Sequence, residues 1–185
     1  GDVRCWGNNS GGALGFGSST GSTNSGVGVQ LIDLGTNVSI DQIDSGGHST
    51  CAITDEDSVL CWGWNNNGQL GIGDNTGSKQ KIGDAVNEMG DYLNYVDLGT
   101  NRTVKQVSVG GSHTCAILDN DLVKCWGKNN NGQLGIDTNG SNVGDNEGEM
   151  GDSLSYVDLG TGRTAKQITS GGDHTCAILD NDLVK

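Results

Sequence analysis

One pattern occurs three times in this chain, and a fold that cannot repeat itself is excluded by that alone. Cys5-Trp6-Gly7, Cys61-Trp62-Gly63 and Cys125-Trp126-Gly127 each open an Asn- and Gly-rich stretch closing in Leu-Gly, at Leu14, Leu70 and Leu134. The later two stretches read Asn-Asn-Gly-Gln-Leu-Gly; the first, ending Gly12-Ala13-Leu14-Gly15, is a looser match that aligns with an allowance of one residue. Asp-Leu-Gly-Thr then recurs from Asp33, Asp97 and Asp158. A second element runs Val38 to Ile53, Arg102 to Ile117 and Arg163 to Ile178, each time ending in Cys-Ala-Ile. The spacing from that Asp to Cys51, Cys115 and Cys176 is constant, so length varies only between Cys-Trp-Gly and Asp-Leu-Gly. The chain therefore reads as one array, with frames near 5–60, 61–124 and 125–185 and variable insertions near 16–30, 72–93 and 136–154. Such units bury their apolar faces against each other rather than singly.

Within a frame the elements are strands. Ile40–Ile43, Lys105–Val109 and Lys166–Thr169 alternate with period two. A Gly-Gly pair follows, then Thr114-Cys115-Ala116-Ile117-Leu118, a turn at Asp119-Asn120-Asp121, and Leu122-Val123-Lys124-Cys125-Trp126. Two strands about an Asx-rich turn make a β-hairpin. Cys115 and Cys125 are symmetric about Asn120, and Cys51 and Cys61 about Glu56, so each pair faces across its hairpin within reach of a disulfide. Reduced thiols packed as small hydrophobes are the alternative. Regular pairing points to an oxidising compartment, hence an extracellular or cell-surface location. By the same register Cys5 and Cys176 take partners outside the chain, as expected of an interior stretch of something longer.

At this point the residues resemble a known family. Gly110-Gly111-Ser112-His113-Thr114-Cys115-Ala116-Ile117-Leu118, with Val123–Gly127 and Asn131-Gly132-Gln133-Leu134-Gly135, is similar to the repeat of the regulator-of-chromosome-condensation family. The resemblance implies an all-β fold of β-propeller blades, each a short four-stranded antiparallel sheet, here a partial array or segment of a larger propeller. The founding member is a nuclear nucleotide exchange factor for a small GTPase, but fold alone does not carry that activity over.

Charge and composition remove several functions. Acidic residues number 23 against 10 basic, a formal charge of −13, so nucleic acid is not a partner. No apolar run is long enough to span a bilayer. No Gly-x-Ser-x-Gly, phosphate loop or acid in an apolar setting occurs, so no enzyme is expected.

The remaining candidates are weighed against plainer roles. Trp6, Trp62 and Trp126 are expected in the core between blades, and His48, His113 and His174 as structural residues bonded to the backbone of their own blade. The acidic insertions carry Asp84, Glu88 and Asp91, echoed by Asp145, Glu149 and Asp152. They read either as solvated surface or as weak Ca²⁺ sites, the one cofactor considered. Asn8, Asn37, Asn101 and Asn139 begin Asn-x-Ser/Thr sequons and are candidate glycan sites in a secreted protein. Two functions follow. The first is a non-catalytic extracellular structural repeat protein that assembles with its own copies or neighbouring repeats into a larger body or filament. The alternative is a protein-binding propeller of guanine-nucleotide-exchange or other regulatory type.

Overall fold

The structure, a computed structural model, describes residues 1–18 and 29–185. Most of the insertion expected near 16–30 therefore lies outside the described residues. Eleven strands are present among the described residues: β1 (Arg4–Cys5), β2 (Gln30–Leu31), β3 (Ile40–Gly46), β4 (Ser49–Thr54), β5 (Val59–Trp64), β6 (Lys81–Ile82), β7 (Val104–Val109), β8 (His113–Leu118), β9 (Val123–Gly127), β10 (Ala165–Ser170) and β11 (Thr175–Leu179). They form antiparallel sheets in the orders β1-β2, β3-β4-β5-β6, β7-β8-β9 and β10-β11. A bridge from Gly127 to Val143 gives the third sheet its fourth position. The fold is all-β, and the sheets are propeller blades: two central ones and a half-blade at each end. Each of the two central sheets straddles a frame boundary, because the Cys-Trp-Gly strand joins the blade begun by the preceding hairpin.

The hairpins form where the sequence places them. Asp57, Asp121 and Asp182 adopt left-handed backbone (φ 56°, 62° and 64°) at the last turn position, a conformation Asp and Asn tolerate better than other side chains. The turn then closes with Asp57 N–H on the Thr54 carbonyl and Asp121 N–H on that of Leu118. Cys51 faces Cys61 and Cys115 faces Cys125 across the hairpins, each with Cα atoms 4.1 Å apart and the sulfurs joined. Cys5 and Cys176 are free and half-buried, and burial raises the Cys5 thiol above its usual range.

Blade stacking explains the burial. β4, β5, β8 and β9 lie inside their blades with a neighbouring blade on each face, so nearly every residue in them is buried. The Gly-Gly pairs sit where successive blades crowd together. A Cβ on Gly46 or Gly47 would overlap the carbonyls of Val109 and Gly111 in the next blade, and Gly111 repeats this against Gly172. The glycine surplus is thus partly a close-approach requirement.

No helix among the described residues is long and apolar enough to cross a membrane.

Candidate interaction surface

Three recurring contacts hold blade to blade, and they define what remains at the surface. The first centres on the turn after Cys-Trp-Gly. Asn9, Asn65 and Asn129 each accept the N–H of the residue five positions on, Leu14, Leu70 and Leu134, through their side-chain oxygen. The first copy is therefore in register with the others, with Ala13 standing where Gln69 and Gln133 stand. No one-residue allowance is needed; the Asn-to-Leu bond sets the register. The carbonyl of that residue then receives the next blade. Ala13 O accepts Thr50 Oγ1 (3.0 Å) and Trp62 Nε1 (3.1 Å), and Gln69 O accepts Thr114 Oγ1 (2.9 Å) and Trp126 Nε1 (3.1 Å). Gln133 O accepts Thr175 Oγ1 at 2.9 Å.

Trp62 and Trp126 are fully buried, as expected for core between blades. Trp6 is not: it is 68% exposed. β1 pairs only with β2, so no strand among the described residues covers its other side.

The second contact is a latch made by the insertions. Gly90 N–H donates to Asp33 O, and the Asp91 carboxylate accepts the N–H and hydroxyl of Thr36 (2.6 and 2.9 Å). Gly151 N–H and Asp152 repeat this on Asp97 and Thr100 (2.8 and 2.6 Å). These hydrogen bonds hold both carboxyls below their usual range. Lys124, buried in β9, closes the second latch with its Nζ on Leu98 O (2.9 Å) and Gly151 O (2.8 Å), under the Tyr156 ring. Burial lowers its pKa, against the attraction of Asp152 and Asp97.

Glu88 and Glu149 have a different task. One oxygen of Glu88 takes the N–H groups of Gly83, Asp84 and Ala85, and one of Glu149 those of Gly144, Asp145 and Asn146. Four of the six acids considered for Ca²⁺ are thus divided between backbone nests (Glu88, Glu149) and interblade latches (Asp91, Asp152). Among the described residues no three His, Cys, Asp or Glu side chains converge to hold a metal ion. The Asp84 carboxylate lies 3.9 Å from Lys81 Nζ, and that of Asp145 accepts the side-chain amides of Asn75 and Asn146. Asp145 stands beside Glu149, and burial, with that neighbouring charge, raises its carboxyl.

The histidines are not equivalent, contrary to expectation. His48 is exposed and packs its ring 5.1 Å from that of Trp64, and His174 is exposed as well. His113 is fully buried and bonds the following blade, with Nε2 2.9 Å from Thr175 Oγ1. Thr175 commits its single proton to Gln133 O, so Nε2 donates and Nδ1 is a bare acceptor without a partner. Burial lowers the His113 pKa to about 4, with Asp173 opposing the shift. An unfolded His takes up its proton near 6.5, whereas the folded one stays neutral until about 4. Stability therefore falls as pH drops through that window, by at most about 1.4 kcal/mol per pH unit, and is level above it. Thermal melts between those limits should show this slope, and His113→Gln should flatten it.

The third contact runs between the strands nearest the centre. Gln42 Nε2 donates to Val107 O (3.3 Å), and Gln106 Nε2 to Ile168 O (2.8 Å). Asp44 accepts Val109 N–H, and Ser108 Oγ accepts Ser170 N–H.

Where the hairpin turns reach solvent, the blades differ. Arg102 pairs with Asp119 (3.3 Å) and Lys105 with Asp121 (2.7 Å); Arg163–Asp180 (3.1 Å) and Lys166–Asp182 (2.7 Å) repeat them. The lysine sits on a β-bulge that turns it toward the turn. In the first full blade Val38 and Asp41 occupy the basic positions, opposite Asp55, Glu56 and Asp57. Asp41, Asp55, Glu56 and Asp57 are exposed and make no ion pair among the described residues. Restoring the pairs with Val38→Arg and Asp41→Lys should raise stability by about 0.5–1 kcal/mol in urea denaturation, less at high salt.

Asn37, Asn101 and Asn139 occupy exposed left-handed turn positions (φ 62°, 56° and 53°), and Asn8 caps a short turn through Ser10 N–H. Sequence reasoning missed Lys124, the Thr50/Thr114/Thr175 series and the Thr36 and Thr100 latches. Their recurrence at fixed frame positions was the available signal.

This geometry is that of a β-propeller segment. The Regulator of chromosome condensation (RCC1) repeat matches residues 40–69 and 104–133, and a second description of the same repeat matches 56–88. The chain carries RCC1 repeats. It is 35% identical to the Ultraviolet-B receptor UVR8 of Arabidopsis thaliana over 101 residues, covering 55% of this chain and 20% of that protein. The solved structure of yeast RCC1 (Prp20) bound to Kap60 superposes with a TM-score of 0.73 at 18% identity, over 100% of this chain and 39% of that one. A second structure, Prp20p of Saccharomyces cerevisiae, described with its binding to Gsp1p and histones, gives 0.70 at 16% identity, over 95% and 39%. The chain thus spans between a fifth and two fifths of the relatives named here, and at these identities the structural likeness shows the fold alone.

Proposed function

We propose that this chain is a non-catalytic, protein-binding propeller segment of the regulatory type, and that its partner presents a basic segment. The observation that carries this reading is the unpaired carboxylate surface of Asp41, Asp55, Glu56 and Asp57, where both following hairpins have matched cations. Exposed charge of one sign steers and orients a partner of the other sign. The yeast structures described with Kap60, and with Gsp1p and histones, support protein binding as the use of this fold. Guanine-nucleotide exchange is the narrower form of the same reading. The joined hairpin cysteines support action in an oxidising compartment.

The test is calorimetric titration with a lysine- and arginine-rich peptide. Binding should weaken with salt and fall about tenfold or more in the Val38→Arg/Asp41→Lys variant. Equal binding by both proteins would overturn the reading.

A further inference from the structure

The dipeptide Asn-Gly occurs three times, at Asn67-Gly68, Asn131-Gly132 and Asn139-Gly140. In an unfolded chain the three are chemically alike. Each can close a succinimide, because glycine has no Cβ to hinder its nitrogen from approaching the preceding side-chain amide. The fold separates them. Gly68 N–H donates to Asn65 O (3.0 Å) and Gly132 N–H to Asn129 O (2.9 Å), so in both the nitrogen that would react is already committed. Asn67 and Asn131 are held further by their own N–H groups, each 2.9 Å from the side-chain oxygen of Gln69 or Gln133.

Asn139-Gly140 is the exception. Both residues are exposed and left-handed (φ 53° and 79°), the two central positions of a turn closed by Ser141 N–H on Thr138 O (3.1 Å). The closing bond uses the outer residues of the turn, and Gly140 N–H makes no hydrogen bond among the described residues. The Asn139 side chain makes none either. A Cβ built on Gly140 would meet nothing closer than Asn129 O at 3.9 Å, so the space around this residue is open.

We propose that Asn139 is a self-modification site, converted to aspartate and isoaspartate through a succinimide closed with Gly140. The Gly140 nitrogen gives its proton to hydroxide and bonds to Asn139 Cγ. The Cγ–Nδ2 bond breaks, and ammonia leaves with a proton from water, which regenerates the hydroxide. Water then opens the ring at either carbonyl, giving aspartate or its β-linked isomer. The conversion adds one negative charge to a chain already at −13 and ends the Asn139-Gly140-Ser141 sequon. The β-linked product also puts an extra carbon into the backbone of the turn that presents Thr138. The Thr138 hydroxyl accepts Asn129 Nδ2 (2.6 Å), and Asn129 Oδ1 is the group that sets Leu134 in register. Asn65, its counterpart, rests instead on the carbonyls of Asp74 and Lys79 (2.8 and 3.0 Å). The third Cys-Trp-Gly turn is therefore tied to a segment whose covalent structure changes with age. This site is independent of which protein the carboxylate surface binds.

The test is peptide mapping by mass spectrometry of the whole chain, aged in parallel under native conditions and in urea. In the folded protein the mass increment of amide-to-acid conversion should appear at Asn139 at least about tenfold faster than at Asn67 or Asn131, which react only when their turns open. Aspartate and isoaspartate should both be found there. In urea the three rates should converge, because the hydrogen bonds that protect two of the sites are gone. The folded rate at Asn139 should also climb with pH, since the Gly140 amide must lose its proton first. A folded-state ratio short of about tenfold, a ratio that persists unchanged in urea, or a rate indifferent to pH would each overturn the proposal.

Discussion

Trp126→Ala should lower the folding free energy by about 3–5 kcal/mol in urea denaturation, the range for emptying a large aromatic site in a packed core. Its indole is completely buried between two blades and donates to the Gln69 carbonyl. Removing it leaves both a cavity and a buried acceptor shared only with Thr114. The same change at Trp6 should stay within about 0.5 kcal/mol in the monomer, because that ring faces solvent. Equal effects at the two positions would contradict the joint described here, since the residues are identical in frame and differ only in what covers them.

The second large effect is expected from the hairpin cross-links. Replacing Cys115 and Cys125 together with Ala should cost about 2–4 kcal/mol, from the freed unfolded chain and the lost sulfur packing. The Cys51/Cys61 pair should behave alike, since its environment is as buried. Thiol reduction of the unaltered protein should reproduce the loss, whereas the double variant should be insensitive to reductant.

Much of this was legible in the residues because it repeats. The hairpins, the facing cysteines and the turn after Cys-Trp-Gly all follow from local spacing, and each is a short-range object whose two halves lie within one frame. The contacts between frames were not legible, for a physical reason. Thr36 and Asp91, or Gln106 and Ile168, are far apart in sequence and are brought together only by the angle between successive blades. The same angle decides which histidine is buried: His113 lies under a following blade, while His48, at the same Gly-Gly turn but one place earlier, lies against Trp64 in solvent. In the acidic insertions, composition shows carboxylates without showing the N–H groups they face. Glu88 and Asp91 are near in sequence yet serve different partners, one a nest in its own loop and the other a threonine in the preceding frame.

Charge pairing shows the converse case, where aligned copies carry information that composition hides. Overall the chain is acidic, but two of its three hairpin turns are neutralised by Arg and Lys at fixed positions. The surplus at the third, from Asp41 to Asp57, becomes visible only once the frames are superposed on the blades.

Successive blades are held by an indole donated to the carbonyl of the preceding turn. Hydrogen exchange at the tryptophan Nε1 positions, followed by NMR in deuterated water, reads this directly. The Trp62 and Trp126 indole protons should be protected by orders of magnitude over a short unfolded tryptophan peptide, exchanging only when blades separate. Exchange of either one at the peptide's rate would contradict the account.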